Sequence, residues 1–258
     1  MGAVFLSKLQ FVQPELLLLF FLIAAIYASA GFGGGSSYLA VLTLFSIPMA
    51  TLRPVALLCN LIVVVGNLWV FHQKGFLRWR KSSIVVLAGI PFSFLGGYWK
   101  LSERVFFVLL GFSLLMAAVA MLLQPKPETL ESGAHRSLPP GGNIALGSGL
   151  GLLAGLTGIG GGIFLSPVLQ LLRWDMPKTI AATASLFIFC QSAAGLAGQL
   201  LRHATIDWAF AAPLLLAVWL GGQIGARWSA IRFPQVLVRN LTAGLVLYAG
   251  INILWQYL

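Results

Sequence analysis

Ala30–Tyr38 reads AGFGGGSSY, and Thr157–Leu165 reads TGIGGGIFL. Both stretches lie among apolar residues, where each glycine costs a helix about 1 kcal/mol relative to alanine. Three consecutive glycines, used twice, mark two places where a helix breaks. What a broken helix does inside so apolar a chain decides the fold.

The 258 residues are 59% hydrophobic and only 9% charged, with a mean hydropathy of +0.94. Soluble domains carry about 25% charged residues, so the composition is that of an integral membrane protein. Long apolar runs with charges at their ends suit helices; the strands of a membrane barrel would alternate polar and apolar residues. A net charge of +10 raises nucleic acid as a partner. The basic residues sit between apolar runs, as the positive-inside rule requires, and no basic domain stands apart from them, so no nucleic acid is expected. Cys59 and Cys190 fall inside apolar runs without metal-ligand spacing and read as small core residues. No cofactor or metal is expected. Lys8, an apolar stretch and Ala28-Ser29-Ala30 imitate a signal peptide. The same pattern recurs at mid-chain, where no signal peptide sits, so the segment is read as membrane helix.

Ten apolar segments can be marked, separated by one polar stretch, QPKPETLESGAHRSLPPGG at Gln124–Gly142. The expected organisation is a first membrane repeat over 1–123, a polar cytoplasmic linker over 124–142 and a second membrane repeat over 143–258. Gly31 and Gly33–Gly35 match Gly158 and Gly160–Gly162 at an offset of 127, whereas Pro48 matches Pro177 and Trp79 matches Trp208 at 129. The second repeat thus holds two extra residues between its glycines and its proline. Gly96-Gly97 pairs with Gly221-Gly222.

The segments after the glycines, Ser37–Ile47 and Ile163–Leu172, are too short to span. Eleven residues of helix reach about 16 Å against a hydrocarbon core of about 30 Å. Each is either half of a re-entrant hairpin or the continuation of a broken helix. Lysine and arginine separate the two. A hairpin plus three passes per repeat gathers Lys74, Arg78, Arg80, Lys81, Lys126, Arg136, Arg173, Lys178, Arg227, Arg232 and Arg239 on one side. It leaves Lys8, Arg53, Lys100, Arg104 and Arg202 on the other. Five passes per repeat give the same split, while single broken helices divide the charges evenly. The bias favours the first arrangement. An odd number of passes inverts the second repeat relative to the first, places the linker in the cytoplasm and leaves both termini outside.

Non-helical backbone at membrane depth is tolerated only inside protein or beside a water-filled cavity. Glycine permits the turn and lets a ligand approach the backbone. The helix that starts after it offers free N–H groups and a positive dipole end to an anion. Paired glycine-interrupted segments in two inverted halves are therefore the natural place for a transported anion. Glycines also pack helices closely, and Gly195, Gly221, Gly222 and Gly244 are read that way. A nucleotide loop is excluded by the spacing and by the lack of a βαβ context.

The candidate substrate-binding residues are Gly33, Gly34, Gly35, Ser36, Asn60, Gly160, Gly161, Gly162, Ser185 and Gln191. Asn60 and Asn67 stand seven apart, on one helix face, and a buried amide must find partners or face a cavity. Thr183, Ser192 and Gln199 are further polar residues of the eighth segment, where hydroxyls often bond back to their own helix. Arg53 is either a gate that attracts anions or a residue snorkelling at a helix end. His72 reads as a solvated loop residue, with a proton relay as the other reading. Every acidic residue lies at a segment end or in a loop, so no intramembrane carboxylate is expected to carry protons or sodium.

The two Gly-x-Gly-Gly-Gly runs, ASLF at Ala184–Phe187, TIDW at Thr205–Trp208, GLTGIGGGIFLSP at Gly155–Pro167 and GGQIGARW at Gly221–Trp228 resemble the sulfite exporter TauE/SafE family of membrane permeases. The resemblance covers nearly the whole chain. It implies transport of sulfite, sulfonates or related small sulfur-containing anions. The chain departs from the family pattern where the first repeat lacks an equivalent of Pro167 and where Ala184 stands in place of a threonine.

The sequence therefore predicts an all-α integral membrane protein of two inverted repeats, each a glycine-broken re-entrant or short-helix pair plus three spanning helices. It is expected in a bacterial inner membrane. It would export a small sulfur-containing anion by alternating access, with the lipid bilayer as its surroundings. An anion channel, an uptake permease and a membrane enzyme are the rivals. The enzyme lacks a catalytic constellation, since His72, His135 and His203 lie in loops or at segment ends.

Overall fold

The computed structural model describes residues 13–124, 138–202, 204–228 and 235–258. Lys8, Lys126, Glu128, Glu131, His135, Arg136, His203, Arg232 and most of the stretch read as a linker lie outside them. Among the described residues the regular structure is helical: α1 (Pro14–Ser29), α2 (Gly35–Leu44), α3 (Met49–Gln73), α4 (Trp79–Tyr98), α5 (Glu103–Leu122), α6 (Pro140–Thr157), α7 (Gly162–Leu171), α8 (Pro177–Leu201), α9 (Trp208–Trp228) and α10 (Gln235–Tyr257). Five of these, α3, α4, α5, α8 and α9, are long and apolar enough to cross a membrane. The 25 residues of α3 and of α8 reach about 37 Å. Helix α3 begins at Met49 and runs through Pro54, which removes one backbone donor near the helix start without ending it. Helix α6 begins at Pro140, inside the stretch read as linker, with proline at a first-turn position where its missing N–H costs nothing.

Both short helices fold back on their predecessors. In the first repeat Gly34 abuts Ile23, the Tyr27 hydroxyl lies 2.6 Å from Ser37 Oγ, and the rings of Phe20 and Tyr38 stack with centroids 4.8 Å apart. In the second, Gly161 abuts Ala154 and the Leu150 carbonyl. Each short helix is entered through a left-handed glycine, Gly34 at φ 83° and Gly161 at φ 77°. Each ends in the same turn. Ile47 N–H bonds Leu42 O, and Trp174 N–H bonds Leu169 O. The turn residue is left-handed in both, Ser46 at φ 55° and Arg173 at φ 51°, again 127 residues apart.

Side-chain-free seams join the repeats. A side-chain carbon on Gly147, Gly151 or Gly155 would strike the carbonyl of Val85, Gly89 or Ser93, so α6 runs parallel to α4 in backbone contact. Gly221 and Gly225 meet the carbonyls of Phe21 and Ala25 in the same way, so α9 runs parallel to α1. Contacts recur in pairs throughout: α4 with α6 and α9 with α1, α4 with α8 and α9 with α3, α2 with α10 and α7 with α5. Helices α3 and α8 pack on each other at the centre. Without a hydrophobic drive between helices in lipid, small residues gain association by letting backbones approach. Gly195 serves such a contact, with Gly97, and Gly222 makes an ordinary one with Val63. Gly244 does not: among the described residues nothing lies within 4 Å of the position a side-chain carbon would take.

These directions sort the helix ends. Lys74, Arg78, Arg80, Lys81, Arg173, Lys178, Arg227 and Arg239 lie at one end of the bundle, and Arg53, Lys100, Arg104 and Arg202 at the other. Five passes and a hairpin plus three passes per repeat both give this distribution.

The two extra residues of the second repeat have a visible consequence. Between Arg173 and Pro177 they make room for Trp174, Asp175 and Met176, where the first repeat has only Ile47. Asp175 is 1% exposed and takes Lys81 Nζ at 2.7 Å and Arg78 Nη1 at 3.4 Å, along with the Met176 N–H at 2.8 Å. Lys81 also donates to Trp174 O and lies 4.1 Å from the centroid of the Trp174 ring. Burial pushes the Asp175 carboxyl up, but the hydrogen bonds and charges of Lys81, Met176 N–H and Arg78 outweigh it and hold the group below its ordinary value. A depressed carboxylate stabilises the fold above its unfolded pKa, about 3.9, and that contribution is lost as pH falls through the folded value.

Asp175→Asn should lower the melting temperature in detergent at pH 7, by the equivalent of about 2 kcal/mol for hydrogen bonds to a charged group. It should also flatten the loss of stability below about pH 4, and melting curves across pH read both effects. Gly151→Leu should cost more than about 4 kcal/mol, because it forces α6 off the α4 backbone; loss of the monodisperse peak in size-exclusion chromatography reports it.

Candidate anion site at the glycine breaks

The two breaks touch. A side-chain carbon on Gly35 would run into the Ile159 carbonyl, and one on Gly33 would lie 2.6 Å from Asn60 Oδ1. On the facing break, a carbon on Gly160 would lie 2.6 Å from Asn60 Nδ2 and 2.8 Å from Ser192 Oγ. Only glycine allows this approach, and Asn60 of α3 stands between the breaks.

Helix α3 holds both breaks at equivalent atoms. Asn60 Nδ2 donates to Ile159 O at 3.0 Å, and Asn67 Nδ2 donates to Phe32 O at 3.3 Å. Phe32 and Ile159 are the same residue of the two Gly-x-Gly-Gly-Gly runs. Seven residues of helix separate the amides by about 10.5 Å along the axis, so one rigid helix spaces the two breaks. From the other side, Ser185 of α8 donates to Gly31 O. Carbonyls freed by the breaks thus find donors from side chains, as membrane interiors demand.

Past each break a helix starts. The first N–H groups of a helix have no partner within it, and the N-terminal end carries about half a positive charge. Gly34, Gly35 and Ser36 open α2, and Gly161 and Gly162 open α7. All are buried. Ser36 lies 3.4 Å from the Tyr27 hydroxyl, and Gly162 packs on Ile188 and Ala184. Ser192 Oγ and Asn60 Oδ1 are buried without a partner. The arrangement offers an anion two helix starts and a free hydroxyl.

Two sequence readings change. Gln191 does not face the breaks. Its Nε2 donates to Val86 O at 2.9 Å, and its backbone carbonyl accepts from Ser93 Oγ at 2.8 Å, so it joins α8 to α4. One residue further on, 100° around the helix, Ser192 takes the place beside Gly160. Arg53 does not snorkel. It is 7% exposed, donates to Gly155 O at 3.0 Å and lies 5.4 Å from the Phe106 ring centroid. Gly155 is in the last turn of α6, whose free carbonyls form a negative dipole end, and that offsets the buried charge. Thr183 bonds its own helix at Thr179 O and faces Ser82. His72 is exposed. Cys59 is buried in one hydrophobic cluster, and Cys190 is half-buried against another.

The family model described as "Sulfite exporter TauE/SafE" matches residues 16–253. A protein of Sinorhizobium fredii named "Probable membrane transporter protein y4hK" is 31% identical over 242 residues, covering 92% of this chain and 96% of the relative. One from Bacillus subtilis, "Probable membrane transporter protein YunE", is 27% identical over 165 residues, covering 57% of this chain and 60% of the relative. No solved structure matches significantly.

Asn60→Leu and Asn67→Leu should each destabilise the protein by about 1–3 kcal/mol, the cost of leaving a buried carbonyl unpaired. Asn60→Leu should cost more, since its bond is the shorter. Thermal melting in detergent would rank the two.

Proposed function

The chain belongs to the sulfite exporter TauE/SafE family and is a multi-pass membrane transporter, and on that premise we propose that it exports a small sulfur-containing anion, sulfite or an organosulfonate, across a bacterial inner membrane. The single observation that carries the reading is the contact of the two glycine breaks around Asn60. The anion is held by the starts of α2 and α7, with Gly33–Gly35, Ser36, Gly160–Gly162, Asn60 and Ser192 around it and Ser185 bracing the first break. Gln191 serves the same site from behind, by fixing α8 on α4.

Two membrane repeats, 1–123 and 143–258, lie inverted in the bilayer and rock about this site, joined by the cytoplasmic stretch 124–142. The reading is supported by the paired contacts of α1–α5 and α6–α10. The richer basic end faces the cytoplasm, as the positive-inside rule favours, with α10 as a sixth span. Each negative charge moved outward across an inside-negative membrane gains about 2.3 kcal/mol per 100 mV, so export proceeds without ion coupling. The protein carries out no covalent chemistry on its substrate.

Counterflow tests this directly. Proteoliposomes preloaded with unlabelled sulfite should transiently accumulate labelled sulfite, with taurine, sulfoacetate, thiosulfate and sulfate ranking as competitors. Gly34→Leu and Gly161→Leu, in protein that elutes as wild type, should abolish the accumulation. An imposed voltage should drive it, and a flux that ignores voltage but follows a pH gradient would refute uncoupled export.

A further inference from the structure

We propose a second anion site, a vestibule that takes a small oxyanion between the start of α3 and the C-terminal ends of α4 and α8. A cavity of about 600 Å3 opens there, lined among others by Arg53, Lys100, Glu103, Gln199, Arg202 and Thr205.

Two buried side chains carry the assignment. Arg53 is 7% exposed and Gln199 is 5% exposed. Among the described residues, Arg53 Nε and Gln199 Nε2 are both buried N–H groups with no acceptor. Buried donors in a folded protein are nearly always paired, so two of them lining one cavity call for an acceptor from outside. The charge agrees. Lys100 and Arg202 add two cations at the mouth, against one exposed carboxylate, Glu103. Arg202 is held in place by its bond to Tyr98 O and by the Tyr98 ring. An oxyanion accepts from guanidinium and amide N–H together, and such charge-assisted bonds are the strong ones.

The repeat supplies a comparison within the molecule. At the offset of 129, Arg53, Gln199 and Arg202 correspond to Ala182, Val70 and Gln73. The paired helix ends share a backbone plan, but at these positions only one of them carries the two arginines. The vestibule also adjoins the second break, since a side-chain carbon on Gly158 would lie 3.5 Å from Arg53 O. An anion held there stands one step from α7.

A single reporter cysteine tests the site independently of transport. Thr205→Cys, in protein reconstituted into nanodiscs, would be labelled with an anionic and with a neutral methanethiosulfonate, using the parent protein as the control for Cys59 and Cys190. The anionic reagent should react about tenfold faster than its intrinsic rate against the neutral one predicts, since a charged cleft concentrates counter-ions. Inorganic sulfate or methanesulfonate should protect the thiol saturably from the neutral reagent. Gln199→Leu and Arg53→Gln should each raise the half-protecting concentration by about tenfold, the loss of one charge-assisted bond. Protection no better than that of chloride at equal ionic strength would overturn the proposal, and so would protection unchanged in Gln199→Leu. Gly34→Leu distinguishes this site from the breaks: transport lost with protection intact leaves the vestibule standing, and protection intact in a protein that never transports refutes only the export reading.

Discussion

The structure depends on two amide hydrogen bonds made by one helix. Asn60 and Asn67 of α3 each donate to the carbonyl of the second residue in a Gly-x-Gly-Gly-Gly run. A glycine break frees backbone groups that lipid cannot satisfy. Side chains must replace the lost helical bonds, and they must do so at both breaks. Placing both donors on one helix, two turns apart, solves this and fixes the distance between the breaks. The two breaks are thereby held on either side of Asn60.

Around that centre the packing is made of backbone. The parallel pairs α4 with α6 and α9 with α1 meet through glycines whose missing side chains allow carbonyl contact. Each pair joins a helix of one repeat to a helix of the other, so the halves are interleaved and neither closes its interior alone. Seams of this kind leave few side chains to interlock. The matched turns after α2 and α7, with left-handed Ser46 and Arg173 in the same position, show how closely the local backbone is shared.

The repeats differ where charge is placed. Two extra residues deliver Asp175 to Lys81 and Arg78 at the more basic end of the bundle and bind the second repeat to the first there. At the other end, Arg53 replaces an alanine and is buried against the last turn of α6. One end thus carries an ion cluster, and the other a cavity with basic lining.

Much of this was legible in the sequence. Hydrophobic runs marked every helix, because lipid forces apolar residues into continuous segments. The glycine triplets marked the breaks, because glycine is too costly in a helix to recur by neglect. The offsets of 127 and 129 marked the repeat and its insertion. Other features were decided only in three dimensions. Nothing in the spacing of Asn60 and Asn67 says which carbonyls they meet, since their partners lie far away in the chain. Gln191 and Ser192 are neighbours in sequence, but the rotation of α8 turns one to α4 and the other to Gly160. The environment of Arg53 depends on a helix end more than 100 residues on, brought to it by packing. Local chemistry and periodicity are written along the chain, whereas the partners of a polar group are set by which distant helices the glycine seams bring together.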